Sequence, residues 1–284
     1  MNHSRLVRLA FPVLFVCVGV QAQWLNYHDP SAPKNKDGTI NLKAPTPKAP
    51  GGKPDLSGVW QHEASTLDEY KRIFGAAYEK ESQSALIGME LEVVHKYAYN
   101  IFLDRPGPPP LTPAAEAFMK KRAAERNVAN VCHGEYGWPI LGLLAEPFKI
   151  IQTPKVTLIL YEIDSTRRQV FTDGRDFPKT FEFPAFLGYS IGRWEGDTFV
   201  VESRGFNDRT PLDVLGHPRS ENMHITERYH RPDYGHLNID YTFDDPTFYK
   251  EKFTVRINYN LDTENDLFEM FCNENEKDRA HMVK

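Results

Sequence analysis

One stretch constrains this chain more than any other: Gly188-Tyr-Ser-Ile-Gly-Arg-Trp-Glu-Gly-Asp-Thr-Phe-Val-Val-Glu-Ser-Arg-Gly-Phe-Asn207. It reads as two β-strands joined at Trp194-Glu195-Gly196-Asp197, where Gly and Asp suit the positive-φ positions of a hairpin turn. On the return strand Asp197, Phe199, Val201 and Ser203 share one face. Thr198, Val200, Glu202 and Arg204 share the other. An apolar pair on one face and a Glu–Arg pair on the other suit a sheet that encloses something polar.

The same pattern recurs from Phe148 onward. Strands are expected at 147–152, 156–163, 167–172, 188–194, 197–204, 222–231, 236–243, 252–260 and 267–273. They are short, mostly neighbours in sequence, and separated by turns such as Asp164-Ser165, Asp233-Tyr-Gly235 and Asp262-Thr-Glu-Asn265. With one more strand at 56–60 the count is about ten, enough to close a barrel and remove its edges. Gly58-Val-Trp60 is similar to the Gly-x-Trp of the lipocalin first strand, in which the Trp plugs the barrel floor. An ordinary strand Trp would look the same. The predicted fold class is therefore mainly β: an antiparallel lipocalin-like β-barrel with an α-helical insertion and an extended N-terminal arm.

Residues 65–127 carry the insertion. Leu67, Tyr70, Ile73 and Phe74 recur at helical spacing, as do Leu86, Met89, Val93 and Val94. A third helix starts with Thr112 as N-cap and Pro113 at its first position, after the breaker Arg105-Pro-Gly-Pro-Pro-Pro110. A mobile lid and a packing wall fit this segment equally. Residues 23–54, rich in Pro, Lys and Gly, read as an arm. Within it Asp37-Gly-Thr-Ile-Asn-Leu42 is faintly echoed by Gly51-Gly-Lys-Pro-Asp-Leu56, too few copies for a repeat fold. The barrel domain is expected over 55–284.

Residues 1–22 read as a secretory signal: Arg5 and Arg8, an apolar run from Leu9 to Val20, then small residues at Val20-Gln21-Ala22. The run is shorter than the ~20 apolar residues of a membrane span, and no second run is long enough. The expected location is periplasmic or secreted. Cleavage also removes two positive charges, taking the formal charge from −5 to −7, which gives no electrostatic footprint for nucleic acid. It removes Cys17 as well, leaving Cys132 and Cys272 to pair in an oxidising compartment. Such a disulfide closes a loop of about 140 residues, worth about 4–5 kcal/mol by loop entropy.

The densest polar cluster is Leu215-Gly-His-Pro-Arg-Ser-Glu-Asn-Met-His-Ile-Thr-Glu-Arg228. His224, Thr226 and Arg228 share one strand face, and Met223, Ile225, Glu227 and Tyr229 the other. A His and an Arg reaching together into a cavity can polarise and deprotonate a carbonyl compound; equally, they can form a salt-bridged rim. The candidate catalytic residues are His217, His224, Glu221, Glu202 and Arg228. Glu202 enters as a mid-strand carboxylate that burial would force to pair or to shift. The candidate ligand-binding residues are Arg168, Arg175, Trp194, Glu227 and Tyr189, the arginines as bidentate carboxylate clamps. Asp173 and Arg175 also suit a simple turn pair. His217-x3-Glu221-x2-His224 holds metal-ligand types, but a loop-to-strand junction fixes no geometry, so no metal is expected. Gly188-x-Ser190-x-Gly192 matches the nucleophile-elbow spelling, yet a strand hairpin surrounds it instead of a strand–helix turn. No phosphate loop or dinucleotide fingerprint is present, and no cofactor is expected.

The blocks "PDLSGVW", "EPFKIIQTP", "RQVFTDGR", "GYSIGRWEGDTFVVESRGFND", "LGHPRSENMHITERYHR" and "CNENEKDR", in that order, resemble a family of exported acidobacterial and proteobacterial proteins. The resemblance spans nearly the whole chain after residue 22. It implies export and a lipocalin-like barrel, and carries no activity to transfer. The expected partner is a small organic ligand held in the barrel mouth. Two functions fit: a cofactor-free isomerase, lyase or hydratase using His217 or His224 as base, or a non-catalytic carrier.

Overall fold

The computed structural model describes residues 29–75, 95–125, 140–143 and 147–268. Nine strands in chain order close into one barrel: β1 (Gly58–His62), β2 (Phe148–Gln152), β3 (Val156–Tyr161), β4 (Arg167–Phe171), β5 (Tyr189–Glu195), β6 (Thr198–Arg204), β7 (His224–His230), β8 (His236–Asp244) and β9 (Phe253–Asp262). β9 returns to β1, with Leu261 opposite Trp60 and Tyr259 opposite His62. The ring is complete without the strand expected at 267–273, most of which lies outside the described residues.

Every neighbouring pair is antiparallel except β4 and β5, which run parallel with Val170 opposite Ser190 and Phe171 opposite Ile191. This corrects the all-antiparallel expectation at one seam. Residues 172–188, interrupted by Pro178 and Pro184, form no strand. They return the chain to the end at which β4 began, so β5 sets off beside it in the same direction. The β5–β6 hairpin closes as expected, with Glu195 opposite Thr198 and Gly196 at φ 62°.

Alternation decides which side chains fill the barrel. Leu237, Ile239, Tyr241 and Phe243 of β8 point inward, as do Phe253, Val255, Ile257 and Tyr259 of β9. Burying each aliphatic or Phe side chain contributes about 1.5–3 kcal/mol relative to leaving it exposed. Gly192 makes room for one of these layers. A Cβ there would lie 2.6 Å from Phe199 Cζ and 2.8 Å from Val170 Cγ1.

Trp60 is fully buried at the floor, its indole N–H donating to the Leu56 carbonyl at 2.9 Å and the Arg231 guanidinium lying 4.9 Å from the ring centre. Arg231 also donates to the Asp55 carbonyl at 2.5 Å, which ties the chain ahead of β1 to the β7–β8 turn. The arm crosses the same end. Thr46 donates to the Arg231 carbonyl at 2.8 Å, Lys53 to the Gly196 carbonyl at 2.9 Å, and the Gly235 amide to Leu42 at 2.8 Å. Leu42 approaches so closely that a Cβ at Gly235 would stand 2.5 Å from its own.

The faint echo in the arm has a structural basis. Lys34 bridges Ile40, and Lys48 bridges Pro54. In both loops the same three hydrogen bonds recur: Asn35 N to Thr39 O and Ala49 N to Lys53 O, Gly38 N to Asn35 O and Gly52 N to Ala49 O, Asn41 N to Pro33 O and Asp55 N to Pro47 O.

At the opposite end sit α1 (Leu67–Phe74), α2 (Lys96–Tyr99) and α3 (Pro113–Glu125). Thr66 caps α1 in a capping box with Glu69. Thr112 caps α3 as expected, accepting from Ala115 N at 3.2 Å, and its own amide donates to the Phe248 carbonyl at 3.0 Å. The helix expected around Leu86 to Val94 lies outside the described residues, as do the signal segment, Cys132 and Cys272. Among the described residues no helix is long and apolar enough to cross a membrane.

Candidate functional site

Three polar clusters surround the residues singled out by sequence. The first is inside the barrel. Arg168 of β4 meets Glu227 of β7, with Nη1 donating to Oε2 at 3.0 Å and Nη2 to Oε1. Arg168 Nε donates to Ser190 Oγ at 3.1 Å and Nη2 to Ser203 Oγ at 2.7 Å, and Tyr229 donates to Glu227 at 2.6 Å. Burial alone would push the guanidinium down, but the charge and hydrogen bonds of Glu227 hold it above its ordinary value. Burial raises the phenols of Tyr161, Tyr229, Tyr241 and Tyr259, which therefore stay protonated. The bidentate clamp expected of Arg168 is formed, but with the chain's own carboxylate. Ser190 lies on a strand and points into this network, so the elbow spelling has no elbow geometry. Trp194 packs on Phe199, ring centres 5.1 Å apart, as part of the same filling.

The second cluster caps the barrel at the helical end. Asp213 accepts from His217 Nδ1 at 2.5 Å, from His217 N at 3.1 Å and from Ile101 N at 2.7 Å. It joins the loop after β6 to the segment after α2. Phe102 lies edge-on to the His217 ring at 4.9 Å, and the imidazole is buried. Arg219 is buried against Phe206 at 4.5 Å and donates to the Asn207 carbonyl. Ser220 donates through N and Oγ to Asp245. Glu221 is exposed. His217, Glu221 and His224 are not gathered into one ligand set, and among the described residues no group of three or more His, Cys, Asp or Glu is placed to hold a metal ion.

The third cluster lies on the outer face of β5–β7. The expectation that His224 and Arg228 reach into a barrel cavity is corrected here: Ile225, Glu227 and Tyr229 point inward, so the alternate residues point out. Glu202 is likewise outward and about a quarter exposed rather than buried. Antiparallel pairing of β6 with β7 sets Glu202 opposite Thr226, which brings Arg204 level with His224. Arg204 Nη2 lies 3.4 Å from His224 Nδ1, and Glu202 Oε1 lies 3.6 Å from Nε2. A guanidinium only donates, so Nδ1 is the acceptor and the neutral ring carries its proton on Nε2, towards Glu202. Nε2 is shielded from solvent and makes no hydrogen bond among the described residues. Burial, then Arg204, lowers the His224 pKa, against opposing pulls from Glu202 and Asp244.

Aromatic side chains from the 172–188 connection border this face. Phe177 lies 5.2 Å from the Arg204 guanidinium and 6.2 Å from the Tyr189 ring. Arg175 donates to Tyr189 Oη at 3.1 Å and lies 3.9 Å from the Phe171 ring centre. Asp173 accepts from Arg175 Nε at 2.9 Å and Nη2 at 2.6 Å, the turn pair that the sequence also allowed. Five of the ten residues singled out by sequence, His224, Glu202, Arg228, Tyr189 and Arg175, thus point out on this face, Arg228 joined to Glu202 through Glu195 and Arg193. Sequence reading missed Phe177 and Asp213, and placed Arg204 on the Glu202 face without its contact to His224. Asp213 precedes His217 by four residues, and that spacing was the available signal.

Comparison with family models, with curated proteins and with solved structures found no match for this chain.

Proposed function

We propose that this is an exported barrel that binds a small organic molecule bearing a carboxylate or carbonyl group on the outer face of β5–β7. What carries this reading is the line Glu202–His224–Arg204. A shielded, neutral imidazole is backed by a carboxylate on Nε2 and covered on Nδ1 by an arginine. Both contacts are longer than good hydrogen bonds, as catalytic contacts often are before ligand arrives. Arg204 supplies the charge for an anionic or polarised oxygen, and Phe177 and Tyr189 supply apolar walls.

The same geometry favours a second step. An oxygen that draws Arg204 onto itself uncovers His224 Nδ1, which then accepts a proton from the adjacent carbon or hydroxyl while Glu202 steadies the imidazolium. This is the acid–base reading, an isomerase, lyase or hydratase; the carrier reading needs only the binding half.

Native mass spectrometry of the protein exported to a periplasm identifies what co-purifies with it. The ligand is then offered to wild type, Arg204→Gln and His224→Ala. Loss of binding in Arg204→Gln supports the site, and unchanged binding in both variants overturns it. Turnover abolished in His224→Ala with affinity largely kept marks an enzyme; weakened affinity alone, with no turnover in wild type, marks a carrier.

A further inference from the structure

A separate cavity of about 230 Å³ lies on the outer face of β6–β9, lined by Thr198, Arg228, His230, Asn238, Asp240 and Arg256. All six belong to the barrel strands and point away from the packed interior. Their polar tips therefore converge on one concavity. Arg228 uses Nη1 to reach Glu195 at 2.9 Å, and Arg256 uses Nε and Nη2 to grip Asp240 at 2.6 and 2.7 Å. Each guanidinium is thus oriented by one carboxylate and keeps further donors unused, since it carries five N–H groups. The side chains of Thr198, His230 and Asn238 make no hydrogen bond among the described residues.

The lining brings together two guanidiniums, each already held by one carboxylate, with an amide, a hydroxyl and an imidazole beside them. That is a donor-rich wall of a size below drug-sized ligand sites, and its hold on an anion comes from the unused N–H groups. We propose that this groove binds a small oxyanion, a phosphate group or a short dicarboxylate, through Arg228 and Arg256, with Asn238 and Thr198 completing its hydrogen bonds. The site is distinct from the His224 face and stands whether or not that face binds a ligand. The bidentate geometry of Arg towards carboxylate and phosphate oxygens makes such a wall selective over a halide.

The test uses the purified protein at constant ionic strength, titrated with inorganic phosphate, with succinate and with chloride, and followed by amide chemical shifts. Saturable shifts centred on Arg228, Asn238 and Arg256 with phosphate or succinate, and none with chloride, are expected; whichever anion saturates first identifies the chemistry. Arg228→Gln and Arg256→Gln should each weaken binding by about tenfold or more, the worth of one hydrogen bond to a charged group. Both side chains are about half exposed or more, so the variants keep the fold, which melting curves verify. Shifts that stay linear for both oxyanions, that chloride reproduces, or that survive in the double variant overturn the proposal.

Discussion

Arg168 and Glu227 face each other across the barrel interior as a two-pronged ion pair, 2% and 0% exposed, with Nη1–Oε2 at 3.0 Å. They come from β4 and β7, strands that do not touch each other in the ring. The pair therefore spans the barrel rather than decorating one sheet edge. Its charges are out of water, so its stability rests on how completely each lone pair and proton is used. Ser190, Ser203 and Tyr229 contribute to that set.

Removing one partner should be far more costly than removing both. Glu227→Gln leaves the Arg168 charge buried without a counter-charge and should cost about 3–5 kcal/mol. The double replacement Arg168→Met with Glu227→Leu should cost markedly less, and can be neutral, because packed apolar groups need no partner. Urea unfolding of Arg168→Met, of Glu227→Leu and of the double gives the coupling. Additive losses would mean that the two side chains act independently.

His95 sets the acid limb of stability. Its ring is held to a pKa of about 3 by burial first, then by His62, 5.3 Å away, and by Lys96. The unfolded chain takes up this proton near 6.5 while the folded one refuses it until about 3. Stability should therefore fall as pH drops through that window, by roughly 3–5 kcal/mol for so buried a group. His95→Asn keeps a cap for α2, where His95 Nδ1 now accepts from Tyr97 N at 3.2 Å, and removes the titration. Its melting temperature should change less between pH 7 and pH 4 than that of wild type. An equally steep loss in the variant would assign the acid limb to other groups.

Gly192→Ala should destabilise the barrel by about 1–3 kcal/mol through overpacking against Phe199 and Val170. Phe199→Leu in the same chain should recover part of that loss, since it withdraws the ring atom nearest the new methyl. Failure of the second change to help would place the strain in the β5 backbone instead.

If the chain is exported and Cys132 and Cys272 are joined, its denatured mass should be two hydrogens below the full-thiol mass, and reduction should restore them. Urea midpoints with and without reductant then read the stabilisation, about 4–5 kcal/mol at most by loop entropy. A full-thiol mass from periplasmic material would rule the bridge out.

Strand periodicity was legible because Val, Ile, Tyr and Phe alternate with polar residues so regularly from Phe148 to Asn260. Which face turns inward was harder. Glu227 alternates with Ile225 and Tyr229, whose apolar bulk marks the inner face, yet a lone carboxylate runs against the pattern of an apolar lining. His224 and Arg228, with Thr226 between them, read as a polar lining and are instead the outside of the wall. The meeting of Arg204 with His224 depends on the β6–β7 register, which the excursion over residues 205–223 between the strands conceals from local pattern. The parallel seam at β4–β5 was equally hidden, because no local pattern in the 172–188 connection shows at which end of β4 the chain re-enters the sheet. In the arm only the faint echo of 37–42 in 51–56 was visible; the segment read as extended, and the matching hydrogen-bonded loops appear only in the structure.

Those two clips give the closed end an order of release. Leu42, which ends the first, is more than a third exposed, while Leu56, which ends the second, is sealed and its carbonyl accepts a hydrogen bond from the Trp60 indole N–H. Unfastening must begin at the outer clip, since the inner one is held by the plug itself and by Arg231. The arm thus works as a two-stage fastener. The Gly235 amide should exchange with solvent first and the Trp60 indole long after, so that a breach of the seal is graded before the barrel itself yields.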